Sequence, residues 1–187
     1  MNLPNKLTMG RLGLTVVFVF CFVFEFPLRF TTAFAVFALA ALTDMLDGII
    51  ARRWNLSTDF GKLMDPLADK ILTASAFICL ISFGAIPAWA VILIISREFL
   101  ITGLRSLAAA KGHVIPADNL GKHKTTWQMI TITYFLLLLS MAEIQHPAWL
   151  PTAWFVGTHI FVPVTVVLSV YSGLAYLFKN RELIEAA

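Results

Sequence analysis

Charge is scarce in this chain. Aspartate, glutamate, lysine and arginine make up 13% of the 187 residues, while 59% are hydrophobic, and the mean hydropathy is +0.82. A soluble domain of this size cannot hide so much apolar surface, because its polar residues must still cover the outside. The composition argues against a soluble helical protein and for one membrane-embedded domain over residues 1–187. Cysteine is nearly absent. Cys21 and Cys79 both fall in apolar runs without zinc-type spacing, which leaves them as packing residues. No basic-aromatic stripe suggests a nucleic-acid partner, so the net charge of +3 is better explained by loops facing anionic lipid. Internal repeats, low-complexity tracts and linkers are lacking too. The four histidines, His113, His123, His146 and His159, are scattered without ligand spacing.

What is abundant is long apolar runs. A bilayer core takes about 20 apolar residues per helical span. The pattern predicts an all-α polytopic fold with six transmembrane helices, at 8–25, 30–52, 62–83, 87–110, 124–142 and 152–178. A short N-terminal interfacial segment, Asn2 to Thr8, precedes them. Breaks fall at Pro27, Asn55 to Thr58, Gly84 to Pro87, Gly112 to Gly121 and His146 to Pro151. Pro163 predicts a kink or strong tilt in the last span. Large residues after the first apolar run, Glu25 to Arg29, favour a retained helix over a cleaved signal peptide. Lys6, Arg11, Arg52, Arg53, Lys62, Lys111, Lys122, Lys124, Lys179 and Arg181 gather at one set of helix ends, and Arg29 stands opposite. The positive-inside rule then puts both termini on the cytoplasmic side of the cell membrane, and Trp89, Trp149 and Trp154 at the other interface.

Ionisable residues inside apolar helices are costly and mark function by default. Asp44 and Asp47, spaced i, i+3, share one face of the second helix; Asp65 and Asp69, spaced i, i+4, share one face of the third. The short loop between these helices makes them antiparallel neighbours, so the two pairs can converge. Four carboxylates in a low-dielectric setting cannot all stay ionised without cations. Oxygen donors with no supporting His or Cys favour hard ions, Mg²⁺ or Mn²⁺, and two such ions would polarise phosphate oxygens. The residues alone leave two other readings: aspartates paired with arginines to fix packing, and a cation-coupled transporter. The cluster's place near one membrane face and the lack of an inverted repeat speak against transport.

The full run is Asp44-x2-Asp47-Gly48-x2-Ala51-Arg52-x8-Gly61-x3-Asp65-x3-Asp69. In every element and gap it resembles the signature of the CDP-alcohol phosphotransferase family, membrane enzymes that join a CDP-activated group to an alcohol and release CMP. The resemblance implies that Asp44, Asp47, Asp65 and Asp69 ligate the metals and that Asp69 is also the general base. It implies further that Gly48, Arg52 and Thr58 bind the nucleotide, and that the protein is a homodimer.

That signature does not choose the alcohol. Arg97 and Arg105 on the fourth span, and Lys122 and Lys124 opening the fifth, form a second basic group suited to a phosphate-bearing acceptor. Three stretches, Asn2 to Thr8, Ser96 to Arg105 and Gly121 to Thr125, resemble the family's branch that uses glycerol 3-phosphate. This likeness implies CDP-diacylglycerol and glycerol 3-phosphate as substrates, with Arg97, Arg105 and Lys122 holding the acceptor phosphate. Inositol phosphate, serine and phosphatidylglycerol are the alternative acceptors. Lys124 best fits a helix-end cation that snorkels to the surface, and Arg97, at mid-span, fits that description worst. Glu98 is expected to pair with a neighbouring arginine rather than act as a catalytic acid.

Overall fold

The computed structural model describes residues 3–54, 59–110 and 119–181; within them, side chains are described except at 3–6, 44–54, 59–63, 65, 110 and 119. The chain is all helical among these residues. Five long helices, α1 (Leu3–Val23), α2 (Arg29–Trp54), α3 (Asp59–Ile81), α4 (Ala88–Ala110) and α5 (Asn119–Ile144), are followed by α6 (Leu150–Val156) and α7 (Val162–Lys179). A five-residue π-helical turn, Gly157–Phe161, joins α6 to α7, so the last two run on as one rod, Leu150–Lys179.

These rods match the six apolar runs to within five residues at each end, with one difference. The segment Asn2 to Thr8 is not set apart: helix begins at Leu3 and continues into the first rod, and Thr8 and Arg11 are buried in the bundle. Pro163 is met by the π turn that precedes it. A proline cannot donate to the carbonyl four residues back, and its ring crowds that group. The widened turn, closed by the Val162 N–H donating to the Gly157 carbonyl, takes up the misfit without breaking the rod.

Helix α1 packs on α2 and α3, α2 on α5, and α7 on both α4 and α5. Phe18, Phe37, Phe77, Phe135, Leu72, Leu80, Ile94 and Ile132 fill the centre. At one end Phe22, Phe30 and Phe83 meet edge to face, with centroids 5.0 to 5.8 Å apart. The outside is inverted relative to a soluble protein: Val16, Val23, Ile78, Ile92, Phe99, Phe155, Val167 and Phe178 are each more than half exposed. Among the described residues, Leu120–Ile144 and Leu150–Lys179 are long and apolar enough to cross a membrane.

Two turns hold the rods in register at the end away from the basic residues of α4 and α5. After α3, Gly84 takes φ +65°, and the N–H groups of Gly84 and Ala85 donate to the carbonyls of Ile81 and Leu80. This is the left-handed helix stop for which glycine is the natural residue. At the start of α2 the unpaired N–H groups of Phe30 and Thr31 donate to the carboxylate of Glu143, 3.1 Å away at the end of α5. The Thr31 hydroxyl reaches the same carboxylate at 3.1 Å and Ser140 at 2.9 Å. A carboxylate on a helix N-terminus is favoured by both hydrogen bonding and the helix dipole. Glu143→Ala would orphan these donors and should cost about 1–3 kcal/mol, read as a lower melting temperature in detergent with KM values unchanged. An unaltered melting temperature would mean the cap carries no stability.

Candidate functional site

Helix α4 presents Arg97, Glu98, Ile101, Thr102 and Arg105 along one face, as the spacing of four residues per near-turn requires. That face lines a cavity of about 460 Å³. Gly121, Lys122, Lys124, Thr125 and Thr126 from the start of α5 form the facing wall, Lys70 enters from α3, and Ser172 and Tyr176 from α7 close the side. Among the described residues the lining carries five cations, Lys70, Arg97, Arg105, Lys122 and Lys124, against one carboxylate, Glu98. Such an excess in a partly enclosed space calls for an anionic ligand.

The three residues expected to hold an acceptor phosphate, Arg97, Arg105 and Lys122, are thus brought to one cavity although they lie on two helices. Arg105 and Lys122 stand exposed at its rim. Arg97 is held at both ends of its guanidinium: one terminal nitrogen donates to Glu98 Oε1 at 3.2 Å, the other to the Ser172 hydroxyl at 3.1 Å. Ser172 in turn donates to the carbonyl of Ser169 at 3.0 Å. Glu98 is the shared counter-ion, since Lys124 binds the same oxygen. Its expected pairing with a neighbouring arginine is what the structure has.

Lys124 does not snorkel. Its side chain is only 4% exposed. Its position at the head of α5 suggested a surface cation, but α5 begins earlier, at Asn119, which places Lys124 more than a turn inside the helix and against Glu98. Lys70 also binds across helices, donating to the Thr102 hydroxyl, which itself donates to the Glu98 carbonyl at 2.7 Å.

Asp69 lies on α3 immediately before Lys70, half-buried, with its backbone carbonyl accepting from Thr73 Oγ1 at 3.1 Å. The other expected metal ligands fall on the same two helices: Asp44 and Asp47 on α2, with Gly48 and Arg52, and Asp65 on α3. The side chains of Asp44, Asp47, Arg52 and Asp65, the surroundings of Gly48, and all of Thr58 lie outside the described residues.

Sequence reasoning passed over Thr102, Ser172, Gly173 and Tyr176. A signal was present: Thr165, Ser169, Ser172 and Tyr176 recur every three or four residues through an otherwise apolar helix, and all four are buried. Buried polar groups on one face of a membrane-length helix mark a polar neighbour or a cavity. The Tyr176 hydroxyl, on the cavity wall, has no hydrogen-bond partner among the described residues.

Comparison with known proteins shows the family. The family model for CDP-alcohol phosphatidyltransferase matches residues 1–176. The chain belongs to this family. As a CDP-alcohol phosphatidyltransferase it has relatives along its whole length. It is 38% identical over 198 aligned residues to the CDP-diacylglycerol–glycerol-3-phosphate 3-phosphatidyltransferase of Bacillus subtilis (strain 168), covering 100% of this chain and 98% of that one. A Salmonella paratyphi A protein of the same name is 35% identical, covering 96% and 95% of the two chains. A probable phosphatidylglycerophosphate synthase of Mycobacterium tuberculosis (strain H37Rv) is 42% identical over 74% of this chain and 68% of its own.

Proposed function

We propose that the protein transfers the phosphatidyl group of CDP-diacylglycerol to glycerol 3-phosphate, giving phosphatidylglycerophosphate and CMP. The observation that carries this reading is the cavity with five cations and one carboxylate, entered by the residue next to Asp69. A neutral acceptor such as serine would gain little from that charge, whereas a phosphate monoester would neutralise it. The names of relatives that align end to end with this chain support the same acceptor.

On this reading the acceptor phosphate sits between Arg97, Arg105 and Lys122, and its hydroxyl points toward α3. Asp69 takes the hydroxyl proton as the oxygen attacks the lipid-side phosphorus. The pyrophosphate P–O bond breaks and CMP leaves with the electron pair, held by Gly48, Arg52 and Thr58. Asp44, Asp47, Asp65 and Asp69 would hold two divalent ions, Mg²⁺ or Mn²⁺. Their all-oxygen donor set suits such hard cations. When bound, the metal neutralises phosphate charge and polarises the bond under attack.

The inverted exposure of apolar side chains supports a protein of the cell membrane. Six spans, with both termini and the site on the cytoplasmic side, are read from the apolar runs and the clustered lysines and arginines of the sequence. A single domain over residues 1–187 and a homodimer belong to the same proposal.

An acceptor panel tests it. Purified protein with labelled CDP-diacylglycerol and Mg²⁺ should release CMP with glycerol 3-phosphate and not with serine, inositol phosphate or phosphatidylglycerol. Release with one of these others alone would replace the acceptor. No release with any alcohol would remove the activity.

A further inference from the structure

Glycine in the middle of a helix costs stability relative to alanine, so an interior glycine in a well-formed helix calls for a reason. Gly173 sits in the middle of α7 and is buried. A Cβ built there would lie 2.8 Å from Cγ of Arg97 and 3.3 Å from its Nε. What fills the space beside Gly173 is therefore not a neighbouring backbone but the stem of the one arginine that enters the cavity from mid-span.

Arg97 cannot yield easily to such a Cβ. Its Cγ is near the backbone of α4 rather than at the free end of the side chain. Each terminal nitrogen has one N–H anchored, to Glu98 on its own helix and to Ser172 on α7, and keeps a second for a ligand. Its Nε is buried without an acceptor among the described residues, so the guanidinium is fixed by those two anchors and by contact with Gly173. Ser172 itself is held by the carbonyl of Ser169. The chain of support runs from the backbone of α7, through one hydroxyl and one missing side chain, to the guanidinium plane.

We infer that Ser172 and Gly173 form a seat on α7 that sets the position of Arg97 in the cavity, making the pair positioning residues for the acceptor phosphate. The inference rests on the reading of this cavity as the acceptor site. A phosphate bound by an arginine fork is sensitive to the plane and height of the guanidinium, so the seat governs acceptor affinity without contributing to the chemical step.

The experiment is a double-mutant cycle on steady-state kinetics of the full-length protein in detergent. Gly173→Ala should raise KM for glycerol 3-phosphate about tenfold, with kcat and KM for CDP-diacylglycerol within about twofold. In an Arg97→Ala background the same substitution should add nothing, because it acts through Arg97. Gly103→Ala on the exposed face of α4, where a Cβ meets nothing within 4 Å, should leave every constant unchanged. Unchanged KM in Gly173→Ala, or an equal effect with and without Arg97, would overturn the seat. If Gly173→Ala does not yield folded protein, Ser172→Ala decides by the same cycle: an Arg97-dependent rise supports the seat, and any other result removes it. The two levels separate cleanly. An unchanged KM in Arg97→Ala alone would defeat the acceptor-site reading; a raised KM there with none in Gly173→Ala would defeat only the seat.

Discussion

Asp69→Asn should abolish turnover, with kcat falling about a thousandfold or more, while CDP-diacylglycerol still binds. The substitution keeps the size of the side chain and one oxygen, so the helix and much of the metal environment persist. It removes the negative charge and the ability to take a proton. Asp69 is the member of the aspartate set that directly precedes a cavity-lining residue, which is where an acceptor hydroxyl would have to lose its proton. A general base contributes about 10²–10⁴ in rate, and loss of a proposed metal ligand would add to that. The measurement is CMP release under saturating substrates, beside binding of a CDP-bearing lipid by the same preparation. Substantial turnover in Asp69→Asn would end the general-base assignment. Loss of both binding and turnover would reassign Asp69 to a purely structural or metal-holding place.

Arg97→Ala is expected to have the next largest effect, confined to the acceptor: KM for glycerol 3-phosphate should rise about 10- to 100-fold. A charge-assisted hydrogen bond is worth about 1.5–3 kcal/mol, and each 1.36 kcal/mol is about tenfold. The upper end applies to Arg97 because its side chain is only 13% exposed, whereas Arg105 at the exposed rim is screened by solvent and should matter less. Part of the loss would come from Glu98, which would keep Lys124 but lose its second cation. Arg97→Lys should recover only part of the affinity, since an ammonium cannot offer the planar fork. The diagnostic readout is the split between substrates: KM for glycerol 3-phosphate moves and KM for CDP-diacylglycerol does not. Equal movement in both would assign Arg97 to packing.

Much of the architecture was legible because membrane helices announce themselves by uninterrupted apolar length, and their ends by Gly, Pro and polar clusters. The rods over 29–54, 59–81 and 88–110 were readable in this way. The arginines of α4 were readable as well, because charges in mid-span are rare enough to be conspicuous. What could not be read depends on which helices touch. Glu143 looks like an ordinary helix-end acid, and only the packing of α5 against α2 turns it into the cap of a helix more than a hundred residues earlier. Lys124 looked like a surface cation until the start of α5 moved back to Asn119 and Glu98 came opposite. Gly173 carries no chemistry to notice; its meaning is a distance to another helix.

The succession of Asp69 and Lys70 fixes the proposed base beside one wall residue of the acceptor cavity. The proposed base and a cation of the acceptor cavity are consecutive residues, separated by a rise of about 1.5 Å and a turn of about 100°. Their spacing is therefore covalent, set by one peptide unit inside a helix rather than by packing between helices. Any shift of α4 or α7 against α3 would carry Arg97 or Ser172 with it, but Asp69 and Lys70 would keep their mutual spacing, because both ride on the same turn of α3.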